Sequence, residues 1–113
     1  MGRWVRAAKA TEVPPGEGRT IWVDRHPIAL FHDADRGFFA IDDTCPHQGA
    51  SLGEGTYHEC RVICPMHNWI FDVTTGKCLV VPEDSVACYA TRRSGDDVEI
   101  ELPGGPDAGE ESA

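Results

Sequence analysis

The stretch "CPHQGASLGEGTYHECRVICPMH", residues Cys45 to His67, opens with a cysteine and a histidine two positions apart and closes with a second such pair three positions apart, sixteen residues lying between the pairs. Thiolate and imidazole are the soft and borderline ligands of zinc, copper and iron–sulfur centres, so Cys45, His47, Cys64 and His67 form a candidate metal site. A structural zinc site is the simplest alternative, but zinc modules usually place two cysteines in one short loop and two histidines in the other. Here each loop offers one sulfur and one nitrogen, which fits a two-metal cluster with both cysteines on one iron and both histidines on the other. The intervening residues, at about 3.3 Å each, allow a strand out, a turn and a strand back, so the segment is expected to be a hairpin with the cluster at its tip. Pro46 and Pro65 follow the two cysteines. Each fixes φ and removes an N–H, which stiffens its ligand loop.

Outward from this segment the chain reads as strands punctuated by turns. Before it, "RTIWVD" and "PIALFH" flank a turn at Arg25 and His26, and "DADRG" leads into "GFFAIDD", which predicts an antiparallel meander. "EVPPGEGR", with two prolines and two glycines, is expected to be an extended loop. After it come "NWIFDV", the turn "TTGK", "CLVVP", "VACYATRR", the turn "SGDD" and "VEIEL". No window sustains a 3.6-residue period. The terminal "PGGPDAGEESA" carries three acids and no base and reads as a disordered acidic tail over 104–113, leaving 1–103 as one domain with a cluster-binding subdomain at about 43–76.

With 113 residues the chain has room for one modest core. Its formal charge of −9 leaves no basic stripe for phosphates, so nucleic acid is not an expected partner, whereas an acidic surface suits a basic patch on another protein. No apolar run resembles a signal peptide or a membrane span, and five cysteines make no even disulfide framework. Both features predict a cytoplasmic location. Cys60, Cys78 and Cys88 are expected to be small buried apolar groups, and His26, His32 and His58 surface or packing residues. The "GEG" at Gly53 to Gly55 and "PPGEGR" lack phosphate-loop spacing and are not expected to bind nucleotide.

The motif Cys-x-His, a spacer of sixteen residues and Cys-x-x-His resembles that of the Rieske iron–sulfur family. The resemblance extends through "GFFAIDDTCPHQGASLGEG" and "CPMHNWIFDVTTGKC" and covers about residues 3 to 102. It implies an all-β fold, a Rieske-type antiparallel β-sandwich with the small cluster-binding subdomain inserted as a hairpin. It also implies one [2Fe–2S] cluster per chain, bound by Cys45, His47, Cys64 and His67. Two ferric irons and two sulfides carry about +2, which two thiolates cancel, so an electron is accepted more readily than by an all-cysteine cluster. High-potential members carry an extra cysteine in each ligand loop and Ser and Tyr hydroxyls at the cluster; here Met66, Trp69 and Phe71 stand in that region. Fewer donors predict a potential near the bottom of the family's span of roughly −150 to +300 mV.

Asn68, following the second histidine, is expected at positive φ, which Asn tolerates better than most residues, while Phe71 is expected to pack into the core as a strand residue. "HNW" at 67–69 resembles the small subunit of NAD(P)H-dependent nitrite reductase, which works with a large flavin- and sirohaem-bearing partner. No catalytic residues are expected: the chain has no nucleophile–base pair and no nicotinamide or flavin fingerprint, and only 46 residues follow His67, too few for an oxygenase's catalytic domain. The expected function is therefore electron transfer, as a nitrite reductase small subunit of assimilatory type. The alternatives are a ferredoxin carrying electrons from a reductase to an aromatic-ring-hydroxylating dioxygenase, or a non-redox structural or regulatory subunit. His47 and His67 are expected to form the electron exit, with reduction raising their basicity at alkaline pH.

Overall fold

A computed structural model describes residues 3–23, 25–46, 49–66 and 68–102. His47, Gln48, His67 and the expected tail at 104–113 lie outside the described residues. Ten strands account for most of the rest: β1 (Arg3–Lys9), β2 (Glu17–Val23), β3 (His26–Asp33), β4 (Gly37–Asp42), β5 (Thr56–His58), β6 (Arg61–Ile63), β7 (Ile70–Asp72), β8 (Cys88–Tyr89), β9 (Thr91–Ser94) and β10 (Asp97–Leu102). Only short 3₁₀ turns, at Ala10–Glu12, Leu52–Glu54 and Pro82–Asp84, supplement them among the described residues. The fold is all-β and antiparallel, as the sequence implied.

The strands form three sheets, ordered β1-β10-β9, β2-β3-β4-β8 and β5-β6-β7. In β3 the side chains alternate across the pleat, and Ile28, Ala29, Leu30 and Phe31 are all fully buried, because this strand has cover on both faces. Ile28 and Leu30, with Phe38 and Ala40 of β4, face Val98, Ile100 and Leu102 of β10. Ala29 and Phe31, with Ile41, pack on Leu52, Val62, Cys64 and Phe71. The unbroken apolar run "IALF" is thus the middle layer of a three-layer stack. Its second face is the floor on which the cysteine-bearing segment sits.

Several elements depart from the sequence reading. Part of "EVPPGEGR" is strand, since β2 already begins at Glu17, which pairs with His32. His26 pairs with Val23 in the first register position of β3 rather than lying in the turn. "CLVVP" is not a strand: Cys78 makes one isolated bridge to Phe71, and Leu79 and Val80 are exposed. "VACYATRR" breaks at Ala90, with Cys88–Tyr89 pairing to β4 and Thr91–Ser94 to β10 in another sheet. Strand β1, carried by the weakly alternating "RWVRAAK", pairs with β10 through a register shift between Arg6 and Ala8 and was not anticipated.

Candidate metal centre

Cys45 follows β4, and Cys64 follows β6 directly. The predicted hairpin exists as β5 and β6, but its turn at Glu59 and Cys60 lies at the end away from Cys64. The two cysteine loops occupy the opposite end, the second being the connection from β6 to β7. Sequence spacing required the chain to return, and it does. The site is at the hairpin's open end rather than its tip.

The loops repeat one backbone plan. The Cys45 N–H donates to the Ala50 carbonyl at 2.8 Å, and the Cys64 N–H donates to the Trp69 carbonyl at 2.6 Å, five residues on in each case. The fourth residue after each cysteine is left-handed, Gly49 at φ 73° and Asn68 at φ 59°, which turns the chain back toward its cysteine. Asn68 therefore has the conformation expected of it. Bridging pairs close both loops at their bases, Thr44 with Ser51 and Ile63 with Ile70.

Both cysteine side chains are fully buried, and they belong to one cluster with Leu52, Val62 and Phe71. Burial pushes the Cys64 thiol above its usual pKa range; the Met66 N–H, 3.4 Å from Sγ, opposes this, and the adjacent Cys45 thiol adds to it. Because Pro65 has no N–H, Met66 supplies the first amide after the cysteine that can reach sulfur. Two buried thiols in contact, one already receiving an amide, make a suitable pair of positions for one metal ion, whose charge would replace their protons. The donor set fits an iron–sulfur centre. Among the described residues no group of three or more His, Cys, Asp or Glu side chains is placed to hold a metal ion.

The surrounding residues sort into packing roles. Phe71 is fully buried, as expected, and Trp69 packs on the same cluster while partly exposed. Cys78 is buried as expected, but Cys60 is half-buried and Cys88 exposed. The reasons are local: Cys60 occupies a left-handed turn position, and Cys88 lies on a two-residue edge strand. His32 stacks on Phe38 at 4.0 Å and contacts the Val13 carbonyl, His26 lies 3.0 Å from Asp42, and His58 pairs with Glu59 at the surface. The two Gly-Glu-Gly segments, read separately in the sequence, line one groove of about 530 Å³ between β2 and β5.

One buried group escaped the sequence reading. Asp43 is 5% exposed and accepts hydrogen bonds from the Gly53 N–H at 2.8 Å and from Ser51 and Thr20 hydroxyls. The period of two along "AIDD" was the available signal, because it turns Asp42 outward and Asp43 inward. Gly53 is required there, since a Cβ would lie 2.6 Å from the Thr20 nitrogen.

A stacked antiparallel fold carrying two cysteine loops of matching plan defines a Rieske-type iron–sulfur protein. The Rieske [2Fe-2S] domain model matches residues 3–90, and the chain belongs to that family. The ferredoxin subunit of 3-phenylpropionate/cinnamic acid dioxygenase from Escherichia coli K12 is 34% identical over 101 residues, 88% of this chain and 93% of that one. The ferredoxin of carbazole 1,9a-dioxygenase from Nocardioides aromaticivorans IC177 superposes with a TM-score of 0.78 at 29% identity, covering 89% of this chain and 98% of the other. A structure assigned as the NADH-dependent nitrite reductase small subunit of Mycobacterium tuberculosis superposes with a TM-score of 0.84 at 23% identity, covering 92% and 98%. The protein is a Rieske electron-transfer protein, of a family whose domain binds a [2Fe–2S] cluster.

Proposed function

We propose that this chain is the ferredoxin component of an oxygenase system, accepting one electron at a time from a reductase and delivering it to a terminal oxygenase. The observation that carries the assignment is its 34% identity, across 93% of the relative's length, to a dioxygenase ferredoxin subunit. Cys45 and Cys64 would hold one iron and His47 and His67 the other, within a domain of residues 1–103 whose cluster-binding unit runs from about 43 to 76. When bound, the cluster supplies reversible one-electron storage. The residues do the rest: Phe71, Val62 and Leu52 exclude water from the sulfur side, and Met66 donates its N–H to the Cys64 sulfur. Exposed Met66 beside His67 offers an apolar contact at the exit, and the acidic surface favours a basic partner. A cytoplasmic location accords with five cysteines that form no disulfide in the structure.

A second reading, the small subunit of NAD(P)H nitrite reductase, draws specific support from Asn68–Trp69 after His67 and from the "PPGEGR" lead-in. One pair of reconstitutions separates the two. With an aromatic-ring dioxygenase and its NADH-dependent reductase, the chain should restore substrate oxidation when it replaces the native ferredoxin. With a nitrite reductase large subunit, adding it should leave nitrite-dependent NADH oxidation unchanged. The reverse pattern overturns the oxygenase assignment in favour of nitrite reduction.

A further inference from the structure

We propose that Asp43 is a positioning residue for the cluster, its carboxylate clamping the first cysteine loop to β2 and its negative charge holding the reduction potential down. This rests on Cys45 being a cluster ligand. Asp43 lies two residues before Cys45, at most about 7 Å along the chain. Its Oδ1 receives the Gly53 N–H at 2.8 Å, lies 2.9 Å from Thr20 Oγ1 and 2.9 Å from Ser51 Oγ, and its Oδ2 is 2.8 Å from the same serine oxygen. Thr20 and Ser51 oxygens are themselves 2.5 Å apart, so two hydroxyl protons serve a tight three-oxygen cluster. The Asp43 backbone joins in, its carbonyl accepting from the Leu52 N–H at 2.7 Å and its N–H donating to the Pro27 carbonyl at 3.3 Å.

These side-chain contacts reach two separate pieces of chain, β2 and the segment from Ser51 to Gly53. Thr20 belongs to β2, Ser51 bridges to Thr44 at the base of the Cys45 loop, and Gly53 starts the route toward β5. One carboxylate therefore fixes the loop that presents Cys45 against the floor sheet. Its partners are neutral donors, and among the described residues no Arg, Lys or His forms an ion pair with it. Neutral donors stabilise a buried charge without cancelling its field. A fixed negative charge two residues before Cys45 opposes the arrival of an electron, so it lowers the potential.

The clamp and the field make opposite demands on chosen variants. Asp43→Asn removes the charge yet keeps an oxygen to accept from Gly53, and its midpoint potential should rise above that of the wild type. Thr20→Val and Ser51→Ala keep the charge and remove donors, and their midpoints should fall. Damage to structure alone gives no such opposition of sign. Asp43→Ala should lose iron to a chelator about tenfold faster than wild type, followed by the decay of visible absorbance. A midpoint in Asp43→Asn equal to or below that of the wild type overturns the electrostatic role, and an unchanged chelation rate in Asp43→Ala overturns the clamp. Should Asp43→Asn fail to fold, Thr20→Val decides the electrostatic role alone, an unshifted or raised midpoint contradicting it. A wild-type protein without a Rieske EPR signal overturns the ligand assignment itself, a result distinct from both.

Discussion

Asn68 holds the left-handed conformation that Gly49 holds in the other loop, and for a residue with a Cβ that conformation costs roughly 1–2 kcal/mol. Asn pays less than most because its short amide can bond locally. Asn68→Gly should therefore match or exceed wild-type stability, and Asn68→Val should lose about 1–2 kcal/mol, both read by denaturant unfolding. Equal stability of the two variants would contradict the strain argument. Asp33 tests a different residue-scale feature. It is buried under Tyr57, whose hydroxyl donates to it at 2.7 Å, and it also accepts from the Asp35 and Arg36 amides, with the Arg36 guanidinium and Cys60 thiol nearby. The Tyr57 hydrogen bond, then the Asp35 amide, hold its carboxyl below the ordinary value of 3.8. A depressed folded-state pKa gives stabilisation that is present in full above the unfolded-state value and is lost as pH falls through the folded one. The gap in melting temperature between wild type and Asp33→Asn should be widest near neutral pH and narrow below about pH 4. A gap constant across that range would contradict it.

Phe71 shows how a single strand ties the site to the fold. It pairs with Val62 across β6 and β7, bridges to Cys78, and packs in the cluster that holds Cys45 and Cys64. Phe71→Ala should cost about 3–5 kcal/mol and accelerate loss of the visible chromophore on mild heating. A variant as stable as wild type would mean that the two cysteines do not depend on this core. Strands of this kind were legible in the sequence because alternation and a buried face coincide, as in "NWIFDV" and "VEIEL". The misread elements lack that coincidence. "CLVVP" has β-branched residues, but only its Leu79 N–H bonds a strand carbonyl, that of Ile70, while the Cys78 N–H goes to the Ser85 hydroxyl and the Val81 N–H to the Cys78 sulfur, and Val80 is left half exposed. "VACYATRR" looks continuous, yet the change of sheet at Ala90 is decided by two partners distant in sequence, β4 and β10. Asp43 was passed over for a related reason, since its donors Thr20 and Ser51 meet it only after the sheets stack.

The described molecule is a stack in which strand β3 of the middle sheet is buried on both faces, and its layers have separate tasks. The outer β1-β10-β9 sheet closes a core with β3 and β4, while the opposite face of those strands supports the cysteine loops. The site thus rests on a floor whose other side is already packed, which limits the rearrangement that would slow electron transfer. The cysteine spacing made the pairing of Cys45 and Cys64 readable from the sequence, because ligand chemistry is local. The partner is not local information, and the proposal for it rests on the dioxygenase ferredoxin relative. With the Met66 amide donating to Cys64 and apolar side chains around it, the midpoint should fall near the lower end of about −150 to +300 mV; a value above about +100 mV would contradict that reading. The most direct measurement is a reduced-state EPR spectrum of anaerobically purified protein with iron and acid-labile sulfide assays. The account predicts a Rieske-type paramagnetic signal with about two irons and two sulfides per chain. Diamagnetic protein containing one zinc and no sulfide would contradict it.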